Sequence, residues 1–149
     1  MVGDWTFEAT VEDEPDQMTH KSTGKESIRM LGANWMIGEG QGEMPCPEGE
    51  KPQTGYTCIT LGYSPEKQAM LGTWIGSMMN HMWVYEGSLD LDQGILVLNA
   101  IGPKFDGTGT ANYRETIHLI NDNQRTFTSA VQTDDGEWST FMKAVYKRA

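Results

Sequence analysis

The sequence predicts an all-β protein, an antiparallel up-and-down β-barrel of about ten strands, and three observations carry that expectation. Helical periodicity is nearly absent. Glycine is abundant, at 17 residues, and is spread among β-branched and aromatic residues. Turn signals recur about every ten residues, the spacing of a sandwich or barrel. A length of 149 residues suits one domain over 1–149, and 38% hydrophobic residues suffice for a core without disulfide or metal.

The first strand, Trp5 to Val11, alternates Trp5, Phe7, Ala9 and Val11 against Thr6, Glu8 and Thr10. An acidic loop around Pro15 leads to a second strand, His20 to Met30, and Gly32-Ala33-Asn34 turn into a third, Trp35 to Glu43. Met44 to Pro52 is rich in proline and glycine, which predicts a loop. Gly55 to Tyr63 form the fourth strand, Ser64 to Lys67 a tight turn, Ala69 to Ser77 the fifth strand and Met82 to Leu89 the sixth. Asp90 to Gly94 turn into Ile95 to Ile101; this segment has half the pattern of a calcium loop but lacks the other ligands. The glycine-rich turn at 105–109 precedes Ala111 to Ile120, and Asn121 to Gln124 turn into Thr126 to Thr133. Asp134-Asp135-Gly136 turn into the last strand, Trp138 to Lys147. Short connections favour a meander, and closing it into a barrel removes two long exposed edges.

A net charge of −10 repels phosphate backbones, and no basic cluster overrides it, so nucleic acid and anionic membrane are not expected partners. No run approaches the ~20 apolar residues that cross a bilayer. The start has no basic segment before an apolar stretch, so no signal peptide is expected, and the cytoplasm is the default. The two cysteines, Cys46 in a loop and Cys58 in a strand, would staple only a short loop, so a reducing compartment is the simpler expectation.

Chemistry-bearing motifs are sparse. His20, His81 and His118 lie far apart, with no zinc spacing, and neither a metal nor a cofactor is expected. No Gly-x-Ser-x-Gly elbow is present, Cys58 in an apolar strand should be inert, and no catalytic residue is assigned. Gly38-Glu39-Gly40-Gln41-Gly42 has no helix behind it to bind a phosphate; alternate glycines let a strand bend instead.

Gly3-x-Trp5 on the first strand, with Arg148 at the end of the last, resembles the signature of the calycins. In those barrels the Trp plugs the closed end and the Arg lies across it. A cation on an indole face contributes roughly 0.5–2 kcal/mol. Leu31-Gly32-Ala33-Asn34-Trp35, Leu61-Gly62-Tyr63, Thr73 to Ser77, Tyr85 to Asp90, Tyr113-Arg114-Glu115 and Val145 to Arg148 together resemble a bacterial family known as domain of unknown function 1579. That resemblance implies a calycin-like barrel and supplies no activity. One departure is Gly76, where the family often carries an acidic residue; another is the absence of a leading helix.

Ten strands enclose more volume than the ~8-stranded barrels that side chains just fill, which favours a cavity. The expected ligand is a small, partly apolar molecule held by Trp35, Trp74, Met78, Trp138 and Met142, with Glu39, Arg114 or His118 orienting a polar group. Trp138, Thr140, Met142, Ala144, Tyr146 and Arg148 are expected on one face of the last strand. Met70, Met78, Met79 and Met82 cluster near Asn80-His81 and suit either a pocket mouth or a core. The alternative is a filled barrel acting through a homodimer or a protein partner, using Ile59, Leu61, Leu71 and Ile75 as an outward face; an enzyme is the third reading.

Overall fold

Period-two alternation along nearly the whole chain has one stable outcome, strands that share a buried face. The computed structural model, which describes residues 1–13, 18–44, 51 and 53–149, shows ten of them. They are β1 (Gly3–Asp13), β2 (Met18–Leu31), β3 (Trp35–Met44), β4 (Gln53–Ser64) and β5 (Ala69–Gly76). The second half of the chain gives β6 (Trp83–Asp90), β7 (Ile95–Pro103), β8 (Thr110–Asn121), β9 (Gln124–Gln132) and β10 (Trp138–Arg148). Each strand pairs antiparallel with its sequence neighbour, and β1 pairs with β10, so the meander closes into a barrel without a free edge.

Turn chemistry sets where strands stop. Gly94, at φ +67°, closes the β6–β7 hairpin, where the Asp90 carboxylate accepts from the Gln93 amide at 2.9 Å. The calcium-like segment is thus a hairpin turn. The expected strands match the observed ones with small shifts at their ends; Met82, Ser77 and Thr133 fall outside, and β9 begins earlier, at Gln124.

Strand pairing fixes which side chains share the inner face. Around the barrel these include Trp5, Phe7 and Ala9 of β1, Glu26 and Ile28 of β2, and Ile59 and Leu61 of β4. They continue through Trp74, Trp83, Tyr85, Leu98, Tyr113, Glu115, Ile117, Arg125, Phe127 and Ser129 to Met142, Ala144 and Tyr146. Leu61, Tyr85, Leu96, Leu98, Ala100 and Ile117 form the core cluster, with Met36, Met70, Trp74 and Phe127 packed against it. Ile59 and Leu61 therefore face inward, correcting their expected outward placement, whereas Ile75 is outward and half exposed. Among the described residues, no helix is long and apolar enough to cross a membrane.

Candidate functional site

The two ends of the barrel are built differently. At the first, Trp5 is 1% exposed and its indole N–H donates to the Met1 carbonyl at 2.8 Å. The Arg148 guanidinium lies 4.5 Å from the indole centre and donates to the Asp122 and Val2 carbonyls at 2.8 and 2.9 Å. Gly3, at φ +124°, leaves the room that Arg148 occupies; a Cβ there would collide with the guanidinium. From inside, Arg125 approaches the other side of this plug, 5.0 Å from the Trp5 ring and 3.9 Å from that of Tyr146, and donates to the Glu26 carboxylate. Arg125 is 3% exposed, so this is an ion pair taken out of water. The Tyr146 hydroxyl beside it is pushed well above its ordinary pKa, chiefly by burial and then by Glu26.

Toward the other end, the inner face changes character. Phe7, Val11, Trp74, Thr57, Val131, Ser139, Phe141 and Met142 all retain partial solvent contact, in contrast to the sealed layer of Ile28, Leu61, Leu96 and Ile117. One wall carries a run of inner-face glycines: Gly24, Gly38, Gly40, Gly42, Gly55 and Gly76. Rings and sulfur lie against this bare backbone, with Phe7 over Gly24 and Gly42, and Trp74 and Met78 over Gly76. The opposite wall is aromatic: Trp83, Tyr113, Phe141 and Phe105 make edge-to-face contacts with centroids 4.7–6.1 Å apart.

Between the two halves sits a buried carboxyl. Glu115 is 6% exposed, shares the inner face with Tyr113 and Ile117, and accepts the Ser129 hydroxyl proton on Oε1 at 2.9 Å. Its Oε2 has no protein partner. Desolvation pushes its pKa up to about 7, against the ordinary 4.5, with the Ser129 hydrogen bond opposing.

Of the residues expected to hold a ligand, Trp74 and Met142 lie on the inner face, and Met78 sits at its rim beside Trp74 and Gly76. Five others need correcting, because strand parity places them outside. Glu39 is exposed between Gly38 and Gly40, which take the inner positions. Trp35 is 42% exposed and covers Gly62 on the outer surface. Arg114 and His118 flank the inward Glu115 and Ile117. Trp138 faces outward because a bulge between Thr140 and Met142 inserts one residue and reverses the phase of β10. The expected single face from Trp138 to Arg148 is thus broken, and Arg114 instead stacks on Trp138 at 4.0 Å outside the barrel. Trp138 lines an outer groove of about 590 Å³ with Val84, Asn99, Ile101 and Asn112.

The interior polar groups missed from sequence are Glu26, Arg125, Glu115 and Ser129. A signal for them existed: Glu115 alternates in phase with Tyr113 and Ile117, and Arg125 with Phe127, so each is a charge on an apolar face. Cys58, on the outer face, is a free thiol that burial and then Glu39 hold above its ordinary pKa; Cys46 lies outside the described residues. No group of three His, Cys, Asp or Glu capable of holding a metal occurs among the described residues.

A ten-stranded antiparallel barrel plugged at one end by a Trp–Arg stack is a calycin-like barrel. The chain belongs to the family described as protein of unknown function (DUF1579), whose model matches residues 1–148. Among solved structures it is similar to the S-type phycobiliprotein lyase CPES from Guillardia theta, with a TM-score of 0.62 and 15% identity over 99% of this chain and 88% of that one. No curated protein matches the sequence.

Proposed function

We propose that the protein binds a small, partly apolar molecule inside the barrel, in the half away from Trp5. The observation that carries this reading is the contrast in exposure along one continuous inner face: Phe7, Trp74, Phe141 and Met142 keep solvent contact while Ile28, Leu61, Leu96 and Ile117 below them are sealed. Large apolar residues in a packed interior are ordinarily fully withdrawn from water, so their partial exposure marks room for a guest. Trp74, Phe7, Phe141 and Met142 supply the apolar wall, with Met78 at the rim. Glu115 and Ser129 supply a polar group beneath, and the unpartnered Oε2 suits a ligand N–H or O–H. The likeness to a phycobiliprotein lyase makes a bilin-like molecule the first candidate to try.

The test compares native with denatured mass for gently purified protein, then titrates biliverdin while following tryptophan emission. Saturable quenching at one molecule per barrel, weakened by Met142→Trp filling the wall, is the expected result. An unliganded native mass, together with no saturable quenching by biliverdin or an apolar anilinonaphthalene dye, would overturn the reading. A second reading, an interface on the outer groove, draws on the exposed Val84 and Ile101, at 59% and 66%; a dimeric native mass would favour it.

A further inference from the structure

The β5–β6 connection carries the run Met78-Met79-Asn80-His81-Met82, which the proposed interior site leaves largely unused. Met79 and Met82 are 42% and 56% exposed, an unusual place for two long apolar side chains in one short turn. Both line a single open hollow of about 590 Å³ beside β3–β5, together with His81, Cys58, Tyr56 and Glu39, and its edge reaches Thr57 and Gly76. Met79 is held in place: its sulfur accepts the Trp83 indole N–H at 3.3 Å, which still leaves a thioether lone pair free. His81 packs edge-on against the same indole, with centroids 4.8 Å apart. Its Nε2 is buried and has no hydrogen-bond partner. A buried ring nitrogen without a partner is costly, and it calls for a ligand that the chain itself does not supply.

We propose that Met79, His81 and Met82 form a binding site for a soft monovalent cation of the Cu(I) class. Two thioethers and an imidazole are soft donors that suit Cu(I), and Glu39, the single carboxylate lining the hollow, supplies too few oxygens for a hard divalent ion. The Trp83 indole, touching both Met79 and His81, offers an aromatic surface beside the cation. Cys58 in the wall is a fourth soft donor within the hollow, although burial keeps its proton on. The three donors belong to the β5–β6 connection and not to the inner face, so their signals report this site separately from the proposed ligand, although the hollow borders the barrel at Thr57 and Gly76.

The experiment titrates Ag(I), a redox-inert stand-in for Cu(I), into Cys46→Ser/Cys58→Ser protein labelled on its methionine methyls, so that no thiol competes, followed by NMR and by competition with a chromogenic chelator. The expected result is one equivalent bound, with the Met79 and Met82 methyls and the His81 ring moving together. In that thiol-free background, Met79→Leu/Met82→Leu and His81→Phe should each bind at least about tenfold more weakly, a loss of one decade in Kd. Leucine at exposed turn positions leaves the thermal unfolding curve in place, which separates loss of ligands from loss of fold. The proposal is overturned if the methionine variants bind as the thiol-free protein does. It is equally overturned if the thiol-free protein binds no Ag(I), which would mark an ordinary thiol adduct in the parent.

Discussion

The Trp5 end and the Trp83 end of this barrel share strands, register and closure, yet their interiors obey opposite rules. Around Trp5 the inward groups meet one another: indole on guanidinium, guanidinium on carboxylate, aliphatics on one another, with only the Arg125 Nε left without a hydrogen bond among the described residues there. Around Trp83 one wall is aromatic and the facing wall is rich in glycine, and Trp74, Trp83, Phe141 and Met142 keep contact with solvent while Tyr113 is buried. The first end holds the barrel shut and supplies stability; the second is the half in which we propose that a ligand binds.

That division predicts a gradient of mutational cost. The largest effect belongs to the Trp5 end: Trp5→Ala should cost about 3–5 kcal/mol in a urea unfolding curve, because a fully buried indole is replaced by a cavity. Glu26→Ala should cost a similar ~3–5 kcal/mol by stranding the Arg125 charge, while replacing both partners with apolar residues should recover most of it. Equal costs for the single and double replacements would break the claim that the pair acts as a unit.

The next effect lies at the boundary and reads as pH dependence. The folded chain holds the Glu115 proton up to about pH 7, whereas the ordinary value is 4.5. The unfolded chain therefore loses this proton first, and the contribution is greatest below pH ~4.5 and is lost as pH rises through 7. The total is roughly 3 kcal/mol at ~1.4 kcal/mol per unit. Unfolding free energies across pH 4–8 should show this decline, and Glu115→Gln should flatten it.

Smaller effects sharpen the contrast further. Gly3→Ala should cost about 1–2 kcal/mol, since the backbone is strained for any side chain there and Arg148 must move. Met142→Ala, among partly exposed neighbours, should cost less than ~1.5 kcal/mol, below the ~2–5 expected for Ile117→Ala in the sealed layer. Parity of the last two in thermal unfolding would erase the distinction between the halves.

The strands were legible from sequence because alternation and turn residues agree along the whole chain, and the closure of the meander followed from edge protection. Facing was harder, for reasons specific to each strand. In β3 the inner phase runs Met36, Gly38, Gly40 and Gly42, and its three glycines carry no hydrophobic signal, whereas the outward Trp35 and Glu39 carry the stronger one. In β8 the inner phase holds Glu115 between Tyr113 and Ile117, while the outer phase carries Arg114 and His118, the more obvious polar candidates. In β4 both phases are apolar, so parity could not separate Leu61 from its neighbours. In β10 the bulge after Thr140 reverses the phase, and no residue there announces it.

The row of inner-face glycines leaves one wall of the barrel without side chains of its own. Phe7 and Trp74 lie against that bare backbone on one side, and against Tyr146 and the core cluster respectively on another. The glycines are therefore not interchangeable. A Cβ at Gly76 would meet only the side chains of Met78 and Trp74, which can give way, whereas one at Gly24 would strike the Gln41 carbonyl and force the strands themselves to shift.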